Sequence, residues 1–327
     1  MEIELLSAAA SEEWDRLIAE DPRATFFHTR HWARLLGSAL AGMGAGFLVA
    51  RSDGAAVAGM PFARVRRAGV TVLASMPFGT FGGPVLGRGA PPGAASALVG
   101  AFARLAAAPL VGAAHLVDFA GRVHEPPPGF AAVVEEAQVV RLARPPEAIR
   151  ASYKPSARNK IRRAQAAGVA VRRASSEGDF AEYGDMLAEC CRRWGTRCDF
   201  GPAFFRELSR VDPAMAQMWL AEHEGRIVAG DLNFALHDMV VNWGNVSRDS
   251  ARALAPNNLL HDTAIEEGHR AGLALMNLGA SAGIEGVDAF KASFGAERVQ
   301  FRRFALAKPW YRALRRAARR GGEGGNA

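Results

Sequence analysis

Apolar residues in this chain fall in short runs, and in two places the run, the turn and the exit are nearly the same. Asp53-Gly-Ala-Ala-Val-Ala-Gly59 and Glu224-Gly-Arg-Ile-Val-Ala-Gly230 lie 171 residues apart. In each, an acidic-Gly pair separates two apolar runs, residues 47–50 and 56–62 in the first and 218–221 and 227–234 in the second. Strand-like runs around a turn in which glycine takes φ > 0 predict a β-hairpin. The same hairpin in both halves predicts a duplicated domain.

Around these hairpins, apolar spacing at three and four residues predicts helices at 12–20 (capped by Ser11), 32–40 and 94–107 in the first half. Strands are expected at 70–75, 113–119 and 138–142, with a glycine-rich loop Pro77-Phe-Gly-Thr-Phe-Gly-Gly-Pro84 between the first two. A junction is expected over 145–155. Beyond it, Lys154-Pro155-Ser156 opens a helix that Gly168 ends, with Ala157, Ile161 and Ala164 as its apolar stripe. A strand at 169–173 and helices at 180–194 and 202–211 lead to the second hairpin. The turn His237-Asp238 feeds a strand at 239–245, followed by a helix at 256–271 that begins with proline and stops before Gly272. A strand at 273–278, a short helix at 287–294 and a strand at 298–306 complete the pattern, and 321–327 reads as a frayed tail. The fold class is α/β with mixed, α+β-like sheets, in two similar lobes: residues 1–145, residues 146–307, and a basic tail at 308–327.

Charge sharpens this picture. The chain of 327 residues carries +7, but residues 141–173 alone carry +9 and the tail from Lys308 carries +5, so the rest is acidic at −7. Two basic blocks on an acidic body point to an anionic partner. Arg158 and Arg162 stand one turn apart on one helix face, with Lys154 and Lys160 beside them, so they could grip phosphates. A solvated basic face accounts for the same spacing. Tyr153 is the only aromatic there, which argues against base stacking. Arg312 to Arg320 reads as a basic amphipathic helix with affinity for anions or a membrane surface, so peripheral membrane contact is one expectation and mere solubility another. Cys190, Cys191 and Cys198 are an odd, clustered set without zinc-like spacing, which fits a reducing compartment, and no metal site is expected. The start Met1-Glu-Ile-Glu-Leu-Leu lacks the basic opening of a secretory leader, so a cytoplasmic location is expected.

Three blocks together carry a family resemblance: Phe27-His28 with Trp32; Lys154 to Val169; and Pro256-Asn-Asn-Leu-Leu260 with Asn277-Leu278-Gly279-Ala280-Ser281 and Phe290-Lys291-Ala-Ser-Phe294-Gly295. The chain resembles the Fem-type branch of the GNAT acyltransferase superfamily over roughly residues 20–305. The resemblance implies two tandem GNAT-like domains and transfer of an aminoacyl or acyl group to an amine. It implies aminoacyl-tRNA as donor, with no bound cofactor, and a role in cell-envelope precursor (peptidoglycan-like) or natural-product biosynthesis. The partners would be a charged tRNA or an acyl carrier and an amine-bearing acceptor, phosphate-linked acceptors included. Two departures stand out. There is no charged heptad segment for a helical-hairpin arm. Arg252-Ala-Leu-Ala-Pro-Asn257, where an acetyl-CoA loop would lie, has no glycine to bring backbone N–H groups onto a pyrophosphate.

Acyl transfer needs the attacking nitrogen deprotonated and the tetrahedral oxyanion stabilised. Lys291, between Phe290 and Phe294, occupies the lysine of the family's Phe-Lys-x-x-Phe-Gly block and is the expected catalytic residue. A surface lysine whose stem covers the two rings is the plain alternative. Arg158, Arg162, Lys154, Trp32, Phe290 and Asn257 are the expected substrate-binding residues. Asp231, His261 and Asp262 are open candidates for the base. The leading expectation is an N-acyltransferase acting by direct attack. Transfer from acyl-CoA or an acyl carrier is the first alternative, and a non-catalytic module binding tRNA or anionic glycan the second.

Overall fold

A computed structural model describes residues 1–7, 12–39, 42–67 and 69–323. In chain order the elements are β1 (Glu2–Ser7), α1 (Glu12–Glu20), α2 (Arg30–Ala39), β2 (Met43–Ser52), β3 (Ala55–Arg67), β4 (Val70–Ser75), β5 (Val85–Leu86), α3 (Ala94–Ala107), β6 (Val111–Asp118) and β7 (Ala131–Arg141). They continue with α4 (Pro146–Ala151), α5 (Pro155–Ala166), β8 (Ala170–Arg173), α6 (Glu177–Arg193), α7 (Pro202–Leu208), β9 (Ala216–His223), β10 (Arg226–Leu236), β11 (Met239–Ser247), α8 (Pro256–Arg270), β12 (Leu275–Asn277), α9 (Glu285–Ala292), β13 (Glu297–Ala307) and α10 (Pro309–Glu323). The proposed Ser11 cap and the last residues of the tail, 324–327, lie outside the described residues.

The chain forms two compact units. In the first, β1, β2, β3 and β4 follow one another antiparallel, and β4 then pairs in parallel with β6. Arg302–Ala307 of β13 lies antiparallel to β6. In the second unit, β8, β9, β10 and β11 are antiparallel neighbours and β11 pairs in parallel with β12. Val139–Arg141 of β7 lies antiparallel to β12. The two units therefore share one strand pattern, as expected of a duplication. The units do not follow the boundaries expected at 145/146 and 307/308. The cuts fall at 135/136 and 300/301, and the tail belongs to the first unit. The reason is strand pairing: the last strand of each half completes the other half's sheet. The expected junction is ordered too, as α4, whose Ile149 is buried in the second unit's core with Tyr153.

Both hairpin turns form as read. Asp53 and Gly54 have φ of 50° and 79°, and Glu224 and Gly225 have 51° and 73°. Two successive positive φ values give the turn whose twist matches the flanking strands. The shared Val-Ala-Gly exit also has a packing cause. A Cβ on Gly59 would lie 2.3 Å from the Trp14 ring of α1, and one on Gly230 would lie 2.6 Å from the Tyr183 ring of α6. In each unit a strand glycine makes room for an aromatic ring from the first of the two helices before the hairpin.

The neighbouring strand residues face the other way. Ala58 and Met60 pack under Leu98 and Phe102 of α3, while Ala229 and Ala235 pack under α5 and α8 with Ala157, Ile161, Leu260 and Ala264. Strand alternation thus gives each sheet two covered faces.

His28 in the first unit is buried. Thr25 donates its backbone N–H to Nδ1 at 3.0 Å, so Nε2 carries the proton and faces the Gly83 carbonyl at 3.2 Å. Burial pushes its pKa from 6.5 down to about 4. The folded chain thus refuses a proton that the unfolded chain takes up below pH 6.5. Stability should fall by about 3 kcal/mol as pH drops from 6.5 towards 4 and change no further through this group below that. Urea unfolding across this range should show a shallower acid limb in His28→Gln than in the native chain. Parallel limbs would remove His28 as the cause.

Candidate active site

The second unit's sheet opens at one point. β11 and β12 pair only over Met239–Val241 and Leu275–Asn277. There β12 ends, while β11 runs on to Ser247 without a parallel neighbour among the described residues. Carboxyl ends of parallel strands are where open α/β sheets take ligands. At this end of β12, Asn277 Oδ1 accepts from the Gly279 N–H at 2.8 Å and shapes the exit loop.

Lys291 of α9 reaches the same loop. Its Nζ donates to the Gly279 carbonyl at 3.0 Å and the Ala280 carbonyl at 2.9 Å. The residue is 8% exposed, and burial lowers its pKa from 10.5 to about 8. Two of its three protons are committed to the loop. This is not the surface lysine of the plain alternative. Beside it, Phe290 and Phe294 hold the His261 ring at centroid distances of 5.1 and 5.0 Å.

Of the three candidate bases, the fold brings two together. Asp231 on β10 and His261 on α8 are buried, with His261 Nδ1 3.6 Å from Asp231 Oδ2. Asn242 of β11 donates its amide to Asp231 and to Asn233, the latter at 3.0 Å. Neither ring nitrogen of His261 completes a hydrogen bond among the described residues. Such a buried, partly unsatisfied polar group is costly. A signal for it was present: Asp231 and Asn233, two apart in an apolar strand, share the face that meets α8. Asp262 borders a different feature, a cavity of about 220 Å³ lined also by Ile149, Tyr153 and Ile265. Burial raises the pKa of its carboxyl group.

The other expected residues are scattered. Trp32 is fully buried in the first unit, with Phe27 at 5.2 Å and Phe26 at 6.2 Å, so its expected substrate contact is replaced by core packing. A large indole at an amphipathic helix's inner face is taken up by the core. Arg158 is half-buried and spends Nη1 on the Tyr153 carbonyl at 2.6 Å, anchoring the start of α5. Arg162 and Lys154 are exposed, and Lys154 donates its backbone N–H to the carbonyl of Ser293, just past α9, at 2.8 Å. Asn257 sits in the first turn of α8, its Oδ1 buried without a hydrogen bond among the described residues. The residue before this helix, Ala255, adopts φ 56°, a left-handed conformation usually given to glycine. Among the described residues no group of His, Cys, Asp or Glu could hold a metal ion.

Residues 151–292 match the acetyltransferase (GNAT) domain family. No curated protein matches the chain. Among solved structures, FemX aligns over 96% of this chain and 100% of its own, with 13% identity and a TM-score of 0.69. L-PGS from Bacillus licheniformis aligns over 95% of each chain, at 14% identity and TM-score 0.59. A tandem GNAT protein from the clavulanic acid biosynthesis pathway covers 94% of this chain and 98% of its own, at 16% and 0.58. At such identities the likeness is one of fold, and it includes the tandem arrangement. Residues 151–292 thus match a GNAT-type acyltransferase domain, and the chain as a whole has the fold shared by FemX, L-PGS and the tandem GNAT protein.

Proposed function

We propose that this protein passes an aminoacyl group from aminoacyl-tRNA to an amine acceptor by direct attack, in the assembly of a cell-envelope precursor or a natural product. The amine nitrogen bonds to the ester carbonyl carbon, the carbon–oxygen bond to the ribose breaks, and the ribose oxygen leaves with a proton. The observation that carries this reading is the buried ammonium of Lys291 at the open end of β12, whose third proton would meet the oxyanion. Low polarity around it strengthens that interaction. The Asp231–His261 pair, packed on Phe290 and Phe294, is the group suited to receiving the amine's proton. Exposed Lys154, Lys160 and Arg162 on α5 would meet the phosphates of a tRNA end or of the acceptor. The glycine-free approach to α8 supports an ester donor over acetyl-CoA, because Pro256 removes one of the N–H groups a pyrophosphate would use.

The test is single-turnover transfer to a panel of amines, from a charged-tRNA pool and, separately, from acyl-CoA. Transfer abolished by ribonuclease is the expected result. Transfer from the thioester alone would replace tRNA by an acyl carrier and return the basic face of α5 to the acceptor or to plain surface. RNA binding with no product from either donor would leave a binding module.

A further inference from the structure

The C-terminal helix α10 is fastened at its start and open along its length. Lys308 donates its backbone N–H to the Gly112 carbonyl at 2.9 Å, and its Nζ donates to the carbonyls of Ala107 and Ala108 at 3.0 and 2.6 Å. The rings of Trp310 and Tyr311 sit over Gly112, where a Cβ would come within 3.0 Å of either. Past this anchor the helix presents two unlike faces. Trp310 and Leu314, one turn apart, are 41% and 51% exposed, and Ala317 continues their row. Arg312, Arg315 and Arg316 lie on the other side, exposed, and the sequence adds Arg319 and Arg320 at the same spacing. These three arginines form no ion pair among the described residues. By contrast Arg303 in the same unit pairs with Glu135, and Arg51 with Glu4 and Glu13.

We propose that α10 lays the protein on an anionic lipid bilayer, with Trp310 and Leu314 in the interface and Arg312, Arg315 and Arg316 against lipid phosphates. An exposed Trp/Leu row opposite unpaired arginines is the make-up of a helix that lies in the plane of a bilayer surface. An anionic bilayer satisfies both faces at once. A nucleic acid would neutralise the arginines but leave Leu314 in water. Among the described residues no helix is long and apolar enough to cross a membrane, so the contact is a surface one. This inference does not depend on which acyl donor is used.

The full-length protein would be floated with vesicles of phosphatidylcholine alone and with 30% phosphatidylglycerol, at low and high salt. Binding to the anionic vesicles only, weakened by salt, is expected. Replacing Arg312, Arg315 and Arg316 together by Gln should lower partitioning on the order of 100-fold, at roughly fivefold per charge. Leu314→Glu should abolish binding while leaving the melting temperature unchanged, since the side chain is half exposed. Quenching of tryptophan fluorescence by brominated lipid should disappear in Trp310→Phe. Absence of vesicle binding would overturn the proposal. So would binding that survives Leu314→Glu but is competed by tRNA, which would make α10 a polyanion-binding surface.

Discussion

Lys291→Ala is expected to reduce single-turnover transfer by about 10²- to 10³-fold, the usual cost of losing one oxyanion donor. Because Lys291 also ties the Gly279 and Ala280 carbonyls, loss of activity alone does not separate chemistry from loop anchoring. The pH profile does. An ammonium with a pKa of about 8 is charged below that pH, so a step that needs it should slow tenfold per unit above it. The acceptor amine must lose its own proton and imposes the opposite slope at lower pH. Lys291→Arg keeps a positive charge throughout and should remove the alkaline fall in whatever activity it retains. An unchanged alkaline limb in that variant would assign it to another group. The linkage to stability has its own sign. The unfolded lysine binds a proton up to its ordinary 10.5, the folded one only to about 8. Burying this ammonium therefore weakens the fold below pH 8, and the penalty lifts between 8 and 10.5.

Gly230→Ala and Gly59→Ala are each expected to cost about 1–3 kcal/mol, the penalty for overfilling a tight core. The added methyl would lie 2.6 Å from Tyr183 in one case and 2.3 Å from Trp14 in the other. Neither ring can yield easily. Tyr183 is fully buried and donates its hydroxyl to the Gly244 carbonyl at 3.0 Å. Trp14 donates Nε1 to the His28 carbonyl at 2.7 Å and packs on Phe47 at 4.5 Å. Gly44 has no neighbour within 4 Å of a Cβ, so Gly44→Ala is the control and should be nearly neutral. Denaturant unfolding reads the differences. In a double-mutant cycle, Gly230→Ala should cost far less once Tyr183 is replaced by Leu, because the clash is between those two side chains. Additive effects would place the cause elsewhere in the strand.

Much of the local structure was legible. Helix α3 matches its expected span, and α5 and α8 start at the prolines that open them. Lys291 could be named from its aromatic brackets and the Phe-Lys-x-x-Phe-Gly block; its bonds to the Gly279 and Ala280 carbonyls could not. The edge strand β1 was not recognised: six residues with two glutamates look like a tail until β2 lies beside them. Arg158 was read as a phosphate grip because its charge is visible and its bond to the Tyr153 carbonyl is not.

By itself the sequence determined what depends on a few adjacent residues. It specified the two hairpin turns, through Asp-Gly and Glu-Gly pairs able to take positive φ. It specified the span of α3, the starts of α5 and α8, and the two-faced character of α10. These follow from φ/ψ preference and periodicity, which neighbouring residues settle among themselves. Only the tertiary structure decided which sheet takes β7 and which takes β13, because an antiparallel edge accepts any strand of suitable pattern and register. Only it brought Asp231 of β10 to His261 of α8 and left β11, past Val241, without a parallel neighbour among the described residues. Those arrangements depend on how a helix crosses a sheet, and that is set by the packing of whole layers, not by any one segment.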